Sequence, residues 1–245
     1  MEELELFKKK LENAIAKAYL GGVTIMPFLD EASSFLVKEE LKWHSEIMAY
    51  FDGGIINADR LRCIIAPNNY NVDCNIVVFK IEYSKKYYQI SHRSILGSLM
   101  ALGIKREVLG DIVITDDMDA YFACQREISE FIKGELKYIG KAPVNLIIEN
   151  EKIENVIRYD KKLHFLASLR LDTVIAHAFS FSRGIALEYI KNGLVFVNYM
   201  VNQNPSYIVK ISDIISVRHK GKIKLLSIDG NTKSGRIAVN IGKRV

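Results

Sequence analysis

Ser182 and Arg183 stand together at the expected start of a helix, where an anion would be welcome. The Ser182 hydroxyl can accept a backbone N–H there, which puts Arg183 in the first turn, pointing outward. An arginine at the positive end of a helix dipole is unfavourable unless an anion binds, and the free N–H groups at that end attract phosphate as well. A second basic set, Arg218, Lys220, Lys222 and Lys224, alternates around one expected hairpin and would project largely to one side. A third lies in mid-chain: Arg93 near the start of a helix, with Lys105 and Arg106 on the following helix-to-strand loop, within reach of phosphates.

Other chemistries are poorly supplied. Asp116, Asp117 and Asp119 form an acidic turn without EF-hand glycine spacing or a histidine partner, which reads as a solvated loop. His92 beside Arg93 could be a general base, but a lone histidine at a helix start is more often a capping or packing residue. Cys63, Cys74 and Cys124 show neither CxxC pairing nor metal-like spacing with the five histidines, so no metal and no cofactor is expected. Neither GxxxxGK[ST] nor GxGxxG occurs, which removes the ordinary nucleotide-binding readings.

The elements that must position these groups follow from periodicity. Leu171, Val174, Ile175 and Ala178 recur at helical spacing, as do Ile185, Ala186, Tyr189 and Ile190, with Gly193 closing the second helix. Strands are expected after them at 194–197, 207–210, 214–218, 222–228 and 236–241, with turns at Ser212-Asp213, Gly221 and 229–231. Upstream, residues 76–148 read as strand, helix, strand, strand, helix, strand, the split βαβ order. There Ser91 starts a helix, Gly103 ends it, and Gly97 is expected to let it pack closely on the sheet. Residues 2–20 form a helix ended by Gly21-Gly22, Asp30 caps a second helix, and strands follow at 47–51 and 61–66.

Charge is divided along the chain. Residues 1–160 carry 20 Lys and Arg against 25 Asp and Glu, whereas residues 161–245 carry 14 against 4, a net +10. Such asymmetry points the last third at a polyanion. The acidic, helix-like N-terminus is not a signal peptide, and no apolar run approaches the roughly 18 residues that span a bilayer. Three unpaired cysteines suit a reducing compartment, so a soluble cytoplasmic protein is expected.

The strings Arg170-Leu171-Asp172, Ser182-Arg183 and 190–198, IKNGLVFVN, resemble the S4 RNA-binding domain over about 75 residues. In that family two helices and the adjoining strand dock on structured RNA, which implies Arg170, Ser182, Arg183, Lys191 and Asn198 as RNA-facing residues. Tyr199 stands where the family usually has a small or flexible turn residue. The segment from Ser91 to Ile112, with Phe28-Leu29-Asp30 and Phe51-Asp52-Gly53-Gly54, extends the resemblance to the YlmH family of bacterial S4 proteins over essentially the full length. That resemblance implies a non-enzymatic factor of ribosome-associated quality control. It would bind large-subunit ribosomal RNA holding peptidyl-tRNA and assist C-terminal tailing of the stalled chain, with tRNA and quality-control factors as further partners. The fold class expected is α+β: a small α/β unit over 1–74, a ferredoxin-like (RRM-like) βαββαβ domain over 75–150, a linker over 151–165 and an S4 domain over 166–245.

Two rival readings remain. Arg170-Leu171-Asp172-Thr173 resembles the catalytic aspartate motif of pseudouridine synthases, which would make the chain an RNA-modifying enzyme. The motif lies inside the S4 pattern and too little chain follows it, so Asp172 is expected instead to be a helix-start residue paired with a nearby cation. Alternatively the acidic N-terminal unit is a protein-interaction scaffold. In the middle domain, Tyr121 and Phe122 are adjacent on one strand, so one must face inward, and base stacking there is weakly supported.

Overall fold

Leu11, Ala14, Ile15 and Ala18 form the buried stripe of helix α1 (Glu2–Tyr19) in a computed structural model, which describes residues 2–68, 70, 71 and 73–244. Two compact units divide the chain, 1–156 and 157–245. In the first, α1 is followed by β1 (Thr24–Ile25), α2 (Glu31–Leu41), β2 (Ile47–Asp52) and β3 (Arg62–Pro67), and the strands form an antiparallel sheet in the order β1-β3-β2. Asp30 caps α2 as its type predicts, accepting from Ser33 N–H at 2.8 Å.

The chain then runs through β4 (Ile76–Glu82), α3 (His92–Ala101), a single 3₁₀ turn (Arg106–Val108), β5 (Leu109–Ile114), β6 (Ala120–Gln125) and α4 (Arg126–Glu135). A short hairpin, β7 (Tyr138–Ile139) with β8 (Ala142–Pro143), leads to β9 (Asn145–Glu149). The four long strands pair antiparallel in the order β5-β6-β4-β9, the ferredoxin-like arrangement that the element order predicts. Phe79, Ile81 and Phe122 on one face pack against Ile95 and Leu99 of α3 and Ile132 of α4.

The opposite face of that sheet is also covered. Val78, Val113, Tyr121 and Ala123 form a buried cluster with Phe28 and Ile55 from the preceding segment. An arginine seam closes the edge: Arg60 donates to the Phe28 and Leu109 carbonyls at 2.9 and 3.0 Å, while Asp111 accepts from Asp59 and Arg60 N–H. Arg62, only 4% exposed, donates to the Cys74 and Asn75 carbonyls at 2.8 Å and pairs with Glu127 at 3.3 Å.

In the second unit β10 (Tyr159–Leu166), α5 (Leu171–Ala178), α6 (Arg183–Lys191), β11 (Val195–Val197), β12 (Met200–Val201), β13 (Ile214–Val217), β14 (Gly221–Asn231) and β15 (Ile237–Arg244) build a six-stranded antiparallel sheet, ordered β10-β15-β14-β13-β11-β12. Val174, Ile175, Ala186 and Ile190 bring α5 and α6 onto one face of it, against Ile215, Ile223, Leu225, Val239 and Ile241.

Several local expectations give way. Residues 159–165, expected to be linker, belong to β10, which pairs with β15 along its whole length. Residues 152–157 are not helical; Ile56 N–H donates to the Ile153 carbonyl and Asn155 N–H to the Ile56 carbonyl. Polar composition alone concealed both, because their partners lie far away in sequence. Residues 207–210 make one isolated bridge, Ile208 with Arg170, rather than a strand. The turn expected at 229–231 falls later, where Gly235 N–H donates to the Thr232 carbonyl. Gly97 does not pack on the sheet: a Cβ there would meet nothing within 4 Å, and α3 is seated by Ile95 and Leu99 instead.

Candidate nucleic-acid interface

Helix α6 begins as its sequence requires. Ser182, in extended conformation, accepts from Ile185 N–H at 3.3 Å, leaving Arg183 exposed as the first helical residue. Between α5 and α6 lies an open cleft of about 590 Å³, lined by Thr173, His177, Ser180, Phe181 and Arg183 among others. Phe181 stacks with both Phe179 and Tyr189, at centroid separations of 5.7 and 5.2 Å, which holds the loop that carries Ser182. Lys191, exposed, closes α6 where a cation suits the negative end of the dipole; its carbonyl accepts from Gln203 Nε2 at 2.9 Å.

Arg170 sits at the start of α5 and its guanidinium forks onto Asp172, with Nε to Oδ1 at 3.1 Å and Nη2 to Oδ2 at 3.0 Å. Asp172 is buried, yet its carboxyl is held below the usual range: burial would raise it, and hydrogen bonds from Arg170 and Thr173 outweigh that. The expectation that Asp172 pairs with a nearby cation at the helix start therefore holds.

Asn198 has an architectural task. With Tyr199 it forms the two-residue turn joining β11 to β12, at φ +46° and +69°, the mirror-image geometry favoured in tight hairpins. Its Nδ2 donates to Asp213 Oδ1 at 2.8 Å and its Oδ1 accepts from Ile214 N–H at 3.0 Å. Asp213, buried, also accepts from the Tyr207 hydroxyl and Lys210 N–H. This hub escaped the sequence reading, although Ser212-Asp213 was recognisable as a turn.

The basic hairpin is divided between the two faces of its sheet. Ile223 and Leu225 enter the core under the helices, so strand alternation sends Lys222 and Lys224 to the far face. There Lys222 lies over the Tyr199 ring at 5.3 Å and Lys224 over Tyr159 at 6.0 Å. Lys220 instead lies over Phe181 at 5.7 Å, on the helix side, and Arg218 is exposed at the hairpin tip. The four cations therefore do not share one surface, because the alternation holds for strand residues and fails in the turn.

In the first unit Arg93 and Lys105 are exposed, but Arg106 is engaged. Its Nη1 donates to the Leu109 and Gly110 carbonyls at 2.7 and 3.0 Å, and burial lowers its pKa to about 10, with Arg60 adding to the effect. Tyr121 is buried against the preceding segment and Phe122 in the core, so neither ring is available for stacking on a base. Among the described residues no cluster of His, Cys, Asp and Glu could hold a metal, and no helix is long and apolar enough to cross a membrane.

Residues 69–155 match a family model described as "Putative RNA-binding domain in YlmH", and residues 169–215 match the S4 domain. The chain is 32% identical over 226 residues to the Bacillus subtilis (strain 168) protein named "Ribosome-associated protein quality control protein P2", covering 89% of this chain and 86% of that one. Among solved structures, "Cell division protein ylmH from Streptococcus pneumoniae" aligns with a TM-score of 0.51 at 25% identity, covering 60% of this chain and 91% of that one. With two RNA-binding domain models matched and a relative aligned along most of both chains, the chain belongs to the YlmH family.

Proposed function

We propose that this chain is a non-enzymatic RNA-binding factor of ribosome-associated quality control, which grips large-subunit ribosomal RNA, and the tRNA beside it, chiefly through phosphates. The observation that carries the reading is the exposed pair Arg183 and Lys191 at the two ends of α6, set in a sequence segment of net +10. The name of the Bacillus subtilis relative supports the pathway. Assistance to C-terminal tailing of stalled chains is part of the same proposal, as is a cytoplasmic location. Arg170, Ser182 and Lys220 complete the helix-side surface, Asn198 shapes the adjoining turn, Arg218 stands at the hairpin tip, and Lys222 and Lys224 offer a separate basic contact on the far face of the sheet. Arg93 and Lys105 are a second contact, which Arg106 supports from its seam. The domain limits proposed are 1–74, 75–150 and, for the S4 domain expected over 166–245, a start moved up to include β10 at 159.

Asp172 supports the non-enzymatic reading, since both its oxygens are occupied by Arg170 and Thr173. The test is co-sedimentation with purified large ribosomal subunits. Arg183→Glu and Lys191→Glu should each abolish it in folded protein, and unchanged co-sedimentation of both overturns the assignment. With about five phosphate contacts, affinity should fall by roughly two to three orders of magnitude between 50 and 200 mM salt. A modified nucleoside in ribosomal RNA incubated with the protein would instead establish an enzyme.

A further inference from the structure

We propose that Asp172 is a positioning residue for RNA binding: it grips the Arg170 guanidinium by one edge so that the opposite edge is set to receive a phosphate. The inference rests on the RNA-binding reading above and concerns how one cation of that surface is prepared.

Arginine offers five N–H donors in a planar fork. In Arg170 two of the nitrogens, Nε and Nη2, face Asp172, and the pair is side-on and bidentate, at 3.1 and 3.0 Å. Three N–H groups remain, two on Nη1 and one on Nη2, and among the described residues they have no partner. The Nη1/Nη2 edge has the spacing that matches two phosphate oxygens. The Arg170 side chain is 40% exposed while that of Asp172 is 9% exposed, so the cation is open to solvent and its anchor is not.

The anchor itself is rigid. Asp172 Oδ1 also accepts from Thr173 N–H at 2.8 Å and from Thr173 Oγ1 at 3.3 Å. The backbone beneath is tied to the 205–207 segment, Leu171 N–H donating to the Tyr207 carbonyl at 2.8 Å and Asp172 N–H to Pro205 at 3.3 Å. A long side chain held in this way has lost its rotamer freedom on folding, so RNA binding does not have to freeze it.

Charge alone argues the other way, which makes the proposal decidable. A carboxylate on a surface that meets a polyanion weakens attraction, so removing its charge should tighten binding if Asp172 acts only as a local anion. Positioning requires that removal weaken binding, because asparagine cannot accept the fork on both oxygens.

The experiment measures binding of the full chain to bacterial large-subunit ribosomal RNA at fixed salt, with thermal melting as a check on folding. Asp172→Asn should bind about three- to tenfold more weakly, the range set by freezing one long side chain. Arg170→Lys keeps the charge and the carboxylate but loses the fork; it should weaken binding comparably, and adding Asp172→Asn to it should cost nothing more. That absence of a second loss is what a merely structural role would not produce. Binding by Asp172→Asn as tight as or tighter than the unaltered chain overturns the proposal, as does full affinity in Arg170→Lys, which also carries the test if Asp172→Asn fails to fold. Either result beside loss of binding in Arg183→Glu leaves the RNA reading intact, whereas no binding by the unaltered chain overturns both.

Discussion

Asn198 and Asp213, fifteen residues apart, are joined by a 2.8 Å hydrogen bond that ties the β11–β12 turn to the start of β13. Asn198 was implied as a residue that touches RNA. In the folded chain both ends of its carboxamide are used internally, since Oδ1 accepts from Ile214 N–H. On the proposed RNA surface its contribution would therefore be the shape of the hairpin.

Asn198→Ala should destabilise the second unit by about 2–4 kcal/mol, because it leaves buried partners unsatisfied and places alanine at positive φ. Asn198→Gly removes the same hydrogen bonds without the backbone strain and should cost less. Chemical denaturation of the two variants separates the terms; equal losses would show that φ contributes nothing.

Gly97→Ala should stabilise the first unit by roughly 0.5–1 kcal/mol, since the site is helical, exposed and open to an added Cβ. A lower denaturation midpoint in this variant would mean that the glycine meets a neighbour after all.

Phe28→Ala should cost about 3–5 kcal/mol in the unfolding of the first unit, because the ring is 2% exposed and covers Tyr121 and Val113 of the ferredoxin-like sheet. Hydrogen exchange should locate the loss on β5 and β6 and leave β13 to β15 of the second unit unchanged.

Stability of the second unit should fall in acid through Asp172. Its folded pKa lies below the unfolded one, so the carboxylate stabilises the fold fully above the ordinary carboxylate range and loses that contribution as pH drops through the folded value. Thermal melting below about pH 4 should therefore show a steeper decline in the unaltered chain than in Asp172→Asn. Asp111 works in the opposite sense: burial raises its folded pKa, so its contribution to the first unit weakens as pH rises through that shifted value.

The three thiols should resist alkylation in the native state. Burial pushes Cys63 and Cys124 up to about 12 and Cys74 to about 11, and all three are buried. Labelling by iodoacetamide at pH 8 should be slow until denaturant is added; rapid native labelling of Cys63 or Cys124 would contradict the packing.

Much of the fold was legible because it is local. Apolar spacing located α1, α5 and α6, capping residues at Asp30, Ser91 and Ser182 marked the starts of α2, α3 and α6, and Gly103 and Gly193 closed α3 and α6 at positive φ. The β-α-β-β-α-β order specified the four-stranded sheet, and the separation of charge identified the segment suited to a polyanion. These features depend on residues within a turn or two of each other, or on simple sums, and so the chain determines them by itself.

Only the tertiary structure decided what each cation and each face is free to do. Arg106 and Lys105 are neighbours of similar charge in sequence; one is bonded to the Leu109 and Gly110 carbonyls and the other is exposed. Phe28 closes a sheet face nearly a hundred residues farther on, residues 159–165 find their partner only at β15, and Lys220 parts company with Lys222 and Lys224 at the edge of a strand. The physical reason is common to all of them. Periodicity says which side of an element is apolar, whereas hydrogen-bond partners and covering surfaces are contributed by distant segments, and a guanidinium or carboxamide takes its role from whichever of those it meets.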